Sequence, residues 1–227
     1  MNPTTGRKPR LAVLVSGRGS NLQAVVDAIA DGRLDAEIVG VFSDRTGAAA
    51  LERVPAALRW SAEARRFADR AAFDAALAGA VEATAPDWVF CAGYMRILGD
   101  AFVRRFDGRL LNVHPSLLPR HKGLRTHARA LEAGDSEHGA SVHFVVPELD
   151  AGAVVAQVRM PVLPGDTAES LAARLLPQEH GLVVACLALA TAGRLAEHGG
   201  QVRVDGQILF SPLQLDSTGN LRPGSRP

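Results

Sequence analysis

Residues 11–30, LAVLVSGRGSNLQAVVDAIA, join a short apolar run to a glycine-containing turn and then to a segment with helical spacing. The run 11–15 is typical of a strand that is buried on both faces. Gly17 and Gly19 mark a tight turn, and the apolar residues of 22–29 then recur as they do along one face of a helix. This stretch therefore predicts a strand, a turn and a helix.

The same alternation continues along the chain. Further buried strands are predicted at residues 37–43, 87–92 and 110–114, and an Ala-rich helix is predicted at 70–84. A weaker helix is predicted just before Pro55. Strands that alternate with helices indicate a parallel sheet with right-handed crossovers. We therefore expect an α/β protein with a mostly parallel central sheet and helices on both faces.

The second half of the chain has a different pattern. Residues 140–146 and 153–160 are predicted to be two strands joined by a turn. Residues 167–192 are predicted to form a long helix that Pro177 bends or interrupts. We expect one domain over 1–210.

Residues 211–227 are rich in Ser, Gly, Pro and Arg and lack an apolar pattern, so we expect a flexible tail.

Composition narrows the classes of function. The chain has 227 residues, a net charge of +1 and 47% hydrophobic residues, which is typical of a globular protein. The weak charge disfavours nucleic-acid binding, and no run approaches the roughly 20 apolar residues that a membrane helix needs. Cys91 and Cys186 lie in apolar runs without CxxC spacing, which indicates buried reduced thiols in a cytoplasmic protein. No His spacing indicates a metal site. Small-molecule substrates, small anions among them, stay possible because a nearly neutral protein can still place a few positive groups in one cleft.

Polar motifs follow the ends of three predicted strands. The turn at Gly17 and Gly19, residues 93–96 and residues 114–115 each come directly after a buried strand. Ligands of open parallel sheets bind beyond the carboxyl ends of the strands. We therefore expect these motifs to meet at one edge of the sheet.

The first of these motifs, Gly17-Arg18-Gly19-Ser20-Asn21, has two interpretations. Glycines allow the backbone to approach an anion, and a helix start presents free N–H groups, so the motif can hold a phosphate. It fits neither GxGxxG nor GxxxxGK[ST]. The alternative is a plain strand-to-helix turn with Ser20 or Asn21 as the N-cap.

Asn112 and His114 are the next candidates, because alternate residues of a strand point to the same face. An amide N–H can stabilise an oxyanion, and an imidazolium can donate a proton or balance charge. The alternative is a structural histidine at a strand end. Asp150 is a turn residue or, if it lies beside His114, a group that orients the ring. The two are 36 residues apart, so the sequence alone does not bring them together.

The motifs occur in the order SGRGSNL (16–22), AGYMRIL (92–98), NVHPSLLP (112–119), HGASVH (138–143), ELD (148–150) and QEH (178–180). In this order and spacing the chain resembles the phosphoribosylglycinamide formyltransferase family, folate-dependent enzymes of purine synthesis. The resemblance spans about residues 11–206. It implies a Rossmann-like formyltransferase fold, with the phosphate side in the amino-terminal half and the folate side in the carboxyl-terminal half. It also implies direct formyl transfer from 10-formyltetrahydrofolate to the amine of glycinamide ribonucleotide, without a metal.

The resemblance also assigns site residues by position. The matches to the catalytic residues are Asn112, His114 and Asp150. The matches to the contacts with the substrate phosphate and ribose are Gly17, Arg18, Gly19, Ser20, Asn21 and Glu179. The matches to the folate pocket are Arg70, Met95, Arg96, Ile97, Leu98, Asn112, Val146, Pro147, Glu148, Leu149 and Asp150. The basic stretch 120–122 is given no firm role, although it suits a phosphate or a folate glutamate tail.

Other readings stay open from the sequence. Methionyl-tRNA formyltransferase and formyltetrahydrofolate deformylase share the Asn-x-His-Pro motif, but each carries an additional domain that this chain does not accommodate. A non-catalytic folate-binding module is a third possibility, which the joint presence of Asn112, His114 and Asp150 disfavours. The sequence is compatible with a monomer or a homodimer.

Overall fold

The computed structural model describes residues 6–224, and the elements below belong to that part of the chain. The strands are β1 (Arg10–Val15), β2 (Glu37–Ser43), β3 (Arg59–Ser61), β4 (Trp88–Cys91), β5 (Leu110–His114), β6 (Glu137–Phe144), β7 (Val154–Pro161), β8 (Leu195–His198), β9 (Gln201–Val204), β10 (Gln207–Ile208), β11 (Leu213–Leu215) and β12 (Leu221–Arg222). The α-helices are α1 (Ser20–Ala30), α2 (Arg70–Ala83), α3 (Asp100–Arg105), α4 (Thr126–Glu132) and α5 (Ala168–Thr191). Short 3₁₀-helices lie at Ala49–Arg53, Ala56–Leu58 and Ala64–Arg66.

Nine of these strands form one central sheet, in the order β12-β11-β7-β6-β5-β4-β1-β2-β3. The five adjacent strands β3, β2, β1, β4 and β5 are all parallel to one another. Strands β6 and β7 form the predicted pair, and β6 runs antiparallel to both β5 and β7. The expected mostly parallel α/β sheet is therefore confirmed.

Helices cover both faces of the sheet because β1 is apolar at every position. Leu11, Val13 and Val15 face a core shared with α1 and α5, while Ala12 and Leu14 face a second core shared with α2 and α3. A strand whose alternate residues are all buried must have packing partners on both sides. This two-sided burial is the physical basis of the layered fold.

The chain reverses direction across the sheet between β1 and β4. It runs outward from β1 to β2 and β3, and then crosses back to β4 on the other side of β1. The connections of these two strands therefore diverge, which opens a crevice beyond their carboxyl ends. The turns that follow β4 and β5 line this crevice, and the turn that follows β1 lies beside it.

Two helix predictions need correction. The weak helix before Pro55 is a short 3₁₀-helix, Ala49–Arg53, because a single turn next to proline cannot extend. Pro177 lies inside α5 and does not interrupt it, since the helix continues for 24 residues from Ala168 to Thr191. The predicted start is confirmed: Thr167 and Ser170 cap each other's backbone N–H groups.

The prediction of a flexible tail also needs correction. Strand β11 pairs in parallel with β7, β12 pairs with β11, and the Leu213 side chain is buried. The segment extends the central sheet because the outer edge of β7 offers free hydrogen-bonding groups. Residues 225–227, the last part of the predicted tail, lie outside the described residues.

Strands β8, β9 and β10 form a small separate antiparallel sheet after α5 that the sequence pattern did not indicate. Among residues 6–224, no helix combines the length and apolar character needed to cross a membrane.

Candidate active site

A cavity of about 470 Å³ opens at the carboxyl ends of β1, β4 and β5. Its walls come from residues 93–98, 112–115, 123–127 and 145–147, together with Leu149, Asp150, Asn21, Cys91, Val103, His143 and Glu179. Main-chain groups hold the turns after β1 and β4 together, since the N–H of Ser16 donates to the carbonyl of Gly93 over 3.2 Å. The hydroxyl of Ser16 also accepts from the N–H of Met95 at 2.9 Å. The predicted convergence of the strand-end motifs is confirmed.

His114 is buried at the end of β5, and both of its ring nitrogens face acceptors. Nδ1 lies 3.5 Å from Oδ2 of Asp150, and Nε2 donates to the main-chain carbonyl of His121 at 3.0 Å. The pairing of β5 with β6 and of β6 with β7 places the Asp150 turn beside His114. A ring that carries a proton on each nitrogen suits both neighbours.

Asp150 is held in a left-handed backbone conformation, with φ of 48°. Its Oδ2 accepts the main-chain N–H of Gly123 at 2.8 Å, and its Oδ1 lies 3.7 Å from Nε2 of His143. The carboxylate is almost fully buried, so its charge acts on His114 with little screening by water. The structure thus places Asp150 beside His114, which the sequence alone left undecided.

His143 is a site residue that the sequence reasoning missed. Burial lowers the pKa of His143 to about 4, so the ring is neutral at neutral pH. Its Nδ1 donates to the carbonyl of Phe144 at 2.8 Å, which leaves Nε2 to accept from Nδ2 of Asn112 at 3.0 Å. This network orients the Asn112 amide and leaves its second N–H available to the pocket. The feature that identifies His143 is the register of β5 against β6, because His143 lies directly opposite Asn112 once the two strands pair.

The glycine turn after β1 begins α1 without a side-chain cap. The N-cap is Gly19, with φ of 73°, and neither Ser20 nor Asn21 caps the helix as the plain-turn reading expected. A Cβ on Gly19 would lie 2.5 Å from Cβ of Ala50, so only glycine fits. The N–H of Ala50 also donates to the carbonyl of Gly17 at 3.0 Å. The first N–H groups of α1 are therefore presented from a braced turn, as an anion site requires.

Asn21 and Glu179 meet between α1 and α5 at the floor of the pocket. Nδ2 of Asn21 donates to Oε1 of Glu179 at 2.6 Å. Burial raises the pKa of Glu179, and the bond from Asn21 offsets this rise in part. Gly17, Arg18, Gly19 and Ser20 do not line the cavity itself. They form the turn beside it, with Arg18 exposed.

The mouth of the cavity is apolar. Four exposed large hydrophobic residues surround it, namely Met95, Ile97, Leu124 and Leu149. Exposed apolar groups that gather at one cavity indicate a surface that a ligand covers. Leu124 was not predicted, because it lies in the loop before α4 and has no periodic pattern around it.

Some predicted folate contacts lie outside the cavity wall. Arg70 binds the carbonyl of Ile97 at 2.8 Å from outside and does not line the cavity. Glu148 points outward and pairs with Lys122 at 3.2 Å. By contrast, Arg96, Leu98, Val146 and Pro147 line the wall as the resemblance implied.

The two cysteines are free and buried, and burial raises the pKa of the Cys91 thiol to about 12. Within residues 6–224, no group of three or more His, Cys, Asp or Glu side chains is arranged to hold a metal ion.

Residues 9–187 match the family model described as formyl transferase. The chain is 45% identical to phosphoribosylglycinamide formyltransferase of Escherichia coli (strain K12) over 201 residues, which cover 88% of this chain and 95% of the relative. It is 41% identical to the Haemophilus influenzae enzyme of the same name over 202 residues, with the same coverage of 88% and 95%. Its structure is similar to that of phosphoribosylglycinamide formyltransferase from Coxiella burnetii, with a TM-score of 0.85, 41% identity and coverage of 89% and 96%.

Proposed function

The chain belongs to the formyl transferase family, and on that premise we propose that its cavity transfers a formyl group to the amine of N1-(5-phospho-D-ribosyl)glycinamide. The donor is 10-formyltetrahydrofolate, and the products are formylglycinamide ribonucleotide and tetrahydrofolate, in de novo purine synthesis. The observation that carries the proposal is the meeting of Asn112, His114 and Asp150 in one cluster on the cavity wall, with His143 between Asn112 and Asp150.

The glycine turn is proposed to hold the phosphate of the acceptor. The free N–H groups at the start of α1 and the positive end of the helix dipole favour an anion there. Glu179 and Asn21 lie between this turn and the cluster, where a buried carboxylate can accept hydrogen bonds from ribose hydroxyls. This arrangement directs the glycinamide amine toward His114.

The apolar mouth is proposed to hold the folate. A flat heteroaromatic ring suits the wall formed by Met95, Ile97 and Leu98, whose main-chain groups can bond the edge of the ring. The turn that contains Val146 and Pro147 faces this wall across the cavity. The two ligands would then meet at the Asn112 and His114 side chains.

The reaction needs little covalent chemistry from the protein. The neutral amine nitrogen attacks the formyl carbon, and the electrons of the C=O bond move to the oxygen. When the intermediate collapses, the bond from carbon to the folate nitrogen breaks, and a proton passes from the new ammonium group to that nitrogen. The side chains have to stabilise the oxyanion and assist the proton transfer.

Asn112 and His114 suit these two tasks. The second N–H of the Asn112 amide can donate to the oxyanion, and a protonated His114 supplies a positive charge beside it. Asp150 faces Nδ1 of the His114 ring over 3.5 Å and fixes its orientation. An oxyanion donor contributes about 10²–10³ in rate, and general acid–base assistance contributes about 10²–10⁴. Holding both ligands in attack geometry lowers the barrier by up to about 7–11 kcal/mol.

A coupled absorbance assay tests the proposal. The purified chain is mixed with 10-formyltetrahydrofolate and glycinamide ribonucleotide, with a reaction lacking the ribonucleotide and the Asp150→Asn variant as controls. We expect tetrahydrofolate to form only with the ribonucleotide, and much more slowly with the variant. Product without the ribonucleotide would instead show a deformylase. Binding of both ligands by calorimetry without any product would show a binding module.

A further inference from the structure

Residues 120–123, which we call the latch, contact both ionisable members of the catalytic cluster through main-chain atoms. The carbonyl of His121 accepts from Nε2 of His114 at 3.0 Å. The N–H of Gly123 donates to Oδ2 of Asp150 at 2.8 Å. The position of this short segment therefore sets one hydrogen bond to His114 and one to Asp150.

A buried carboxylate outside the cavity anchors the latch. Asp135 follows α4, and its side chain is almost fully buried. One of its oxygens pairs with the guanidinium of Arg120, and the other accepts from Nε2 of His121 at 2.7 Å. The hydroxyl of Ser116 donates to the carbonyl of Arg120 at 2.7 Å. The latch is thus tied at its beginning, while its far end reaches the catalytic cluster.

The backbone of His121 adopts a strained conformation that its bonds to Asp135 and His114 hold in place. Its φ is 53°, in the left-handed region that a residue with a Cβ disfavours. Glycine would adopt this conformation without strain. The His121 side chain binds Asp135 while its carbonyl binds His114, so the strained residue connects the anchor to the catalytic imidazole.

We propose that Asp135 is a positioning residue for His114, acting through His121 and the latch. This inference rests on the proposed formyl transfer. Asp135 touches neither ligand pocket nor reacting atoms. It fixes the His121 carbonyl that accepts the Nε2 proton, and with it the Gly123 N–H that orients Asp150. Loss of this anchor leaves the ring free to turn, and misplacement of a catalytic group by about 1 Å can cost as much as about 10²-fold in rate.

Three variants test the anchor by steady-state kinetics. Asp135→Asn and His121→Gly should each lower kcat by about 10- to 100-fold, with both KM values changed less than about threefold. His121→Gly also removes the backbone strain, so its melting temperature should stay near that of the wild type. The double variant should be no slower than the slower single variant, because both changes break one connection.

Asp166→Asn is the matched control. Asp166 is also an aspartate with a largely covered side chain that pairs with an arginine, Arg174, but it lies just before α5, away from the cluster. Its variant should lose stability and keep its kcat. Equal losses of kcat in Asp135→Asn and Asp166→Asn would overturn the proposal, as would a wild-type kcat in both Asp135→Asn and His121→Gly.

A spectroscopic measurement keeps the test independent of turnover. In protein labelled with ¹⁵N-histidine, the Nε2 proton of His114 should exchange slowly and resonate downfield, and this signal should disappear in Asp135→Asn and His121→Gly. Unchanged His114 ring signals in both variants would overturn the proposal. If the wild type binds ligands but makes no product, the proposed function fails, and these spectra still decide whether Asp135 positions the ring.

Discussion

The two walls of the cavity are held in place by different forces. The amino-terminal wall comprises the cavity residues 93–98 and the adjoining turn 16–21, and it is fixed by main-chain bonds such as those from Ser16 to Gly93 and from Ala50 to Gly17. The carboxyl-terminal wall, residues 120–127 and 143–150, is fixed by ionisable side chains. Asp135, Asp150 and His143 make its contacts.

The two walls therefore differ in how they respond to pH and to substitution. Main-chain bonds do not titrate, and their geometry follows from the turn and the strand ends. Bonds between ionisable side chains depend on protonation, and one substitution breaks them. We therefore expect the amino-terminal wall to respond to changes of backbone freedom and the carboxyl-terminal wall to respond to charge and pH.

The largest effect is expected at His114, which the carboxyl-terminal wall holds. His114→Ala should lower kcat by about 10²–10⁴-fold, because the positive charge and the proton donor are lost together. Residual turnover should remain from ligand positioning. Steady-state kinetics on both substrates measure this, with His198→Ala, an exposed histidine of β8, as the control. A decrease of less than about tenfold would remove His114 from the mechanism.

A substitution at Gly19 tests the amino-terminal wall. Gly19→Ala should destabilise the fold by about 1–2 kcal/mol from the left-handed backbone alone, with a further cost from the contact with Ala50. The turn must shift, so the KM for the ribonucleotide should rise. Urea unfolding and kinetics measure the two effects. Gly17→Ala is the stability control, since no atom lies within 4 Å of its added Cβ; equal stability of both variants would contradict the expectation.

Acid should weaken the carboxyl-terminal wall. Burial lowers the pKa values of His138 and His143 to about 4, below the usual 6.5, and Nε2 of His138 lies 2.9 Å from Nδ1 of His127. Between pH 4 and pH 6.5 the unfolded chain binds more protons than the folded protein does. The free energy of unfolding therefore decreases as the pH falls from 6.5 toward 4. Each group contributes at most about 1.4 kcal/mol per pH unit.

Urea unfolding between neutral pH and pH 5 measures this slope, and His138→Gln should make it shallower. A free energy of unfolding that stays level over this interval would show that the buried histidines do not control the wall.

Glu179 allows a test in which stability changes with pH in the direction opposite to that expected from the histidines. Burial raises its pKa above 4.5, so the folded state holds the proton longer than the unfolded chain does. The stability that the protonated Glu179 carboxyl contributes is therefore lost as the pH rises from 4.5 through the pKa of the folded state. Glu179→Gln should stabilise the unliganded protein at neutral pH and raise the KM for the ribonucleotide. Thermal melting at pH 4.5 and pH 7.5 checks the sign, and a variant that melts lower at neutral pH would contradict it.

The smallest effect is expected from the exposed ion pair of Lys122 and Glu148, which joins the two loops of the carboxyl-terminal wall over 3.2 Å. Exposed pairs contribute about 0–1 kcal/mol and weaken in salt. Lys122→Ala should raise the KM for the folate by less than about fivefold at low ionic strength. The difference should vanish at high salt, and a larger, salt-independent change would show a direct contact with the ligand.

The strand-turn-helix elements and their strand ends could be predicted from the sequence. Residues 11–30 and the apolar runs that follow contain the periodicity of buried strands and helices, and that periodicity is local. The carboxyl ends of parallel strands share one edge, so the convergence of the Gly17 turn, residues 93–96 and His114 followed from topology alone. The resemblance added roles that the pattern by itself left open.

The contacts between distant segments could not be predicted in the same way. The tail strand β11 has only three residues, too few for a pattern, and it forms because β7 leaves an open edge. The bond from His143 to Asn112 depends on the register of β5 against β6.

The sequence by itself determined the layered α/β fold, the glycine turn after the first strand and the edge where the site lies, because each follows from local periodicity and backbone freedom. Only the tertiary structure decided that Asp150 faces His114, that His143 orients Asn112, and that Asp135 anchors the latch. These contacts join residues far apart along the chain, and their geometry depends on how packed elements place side chains to within an ångström. That placement is a property of the whole core, which no short stretch of sequence contains.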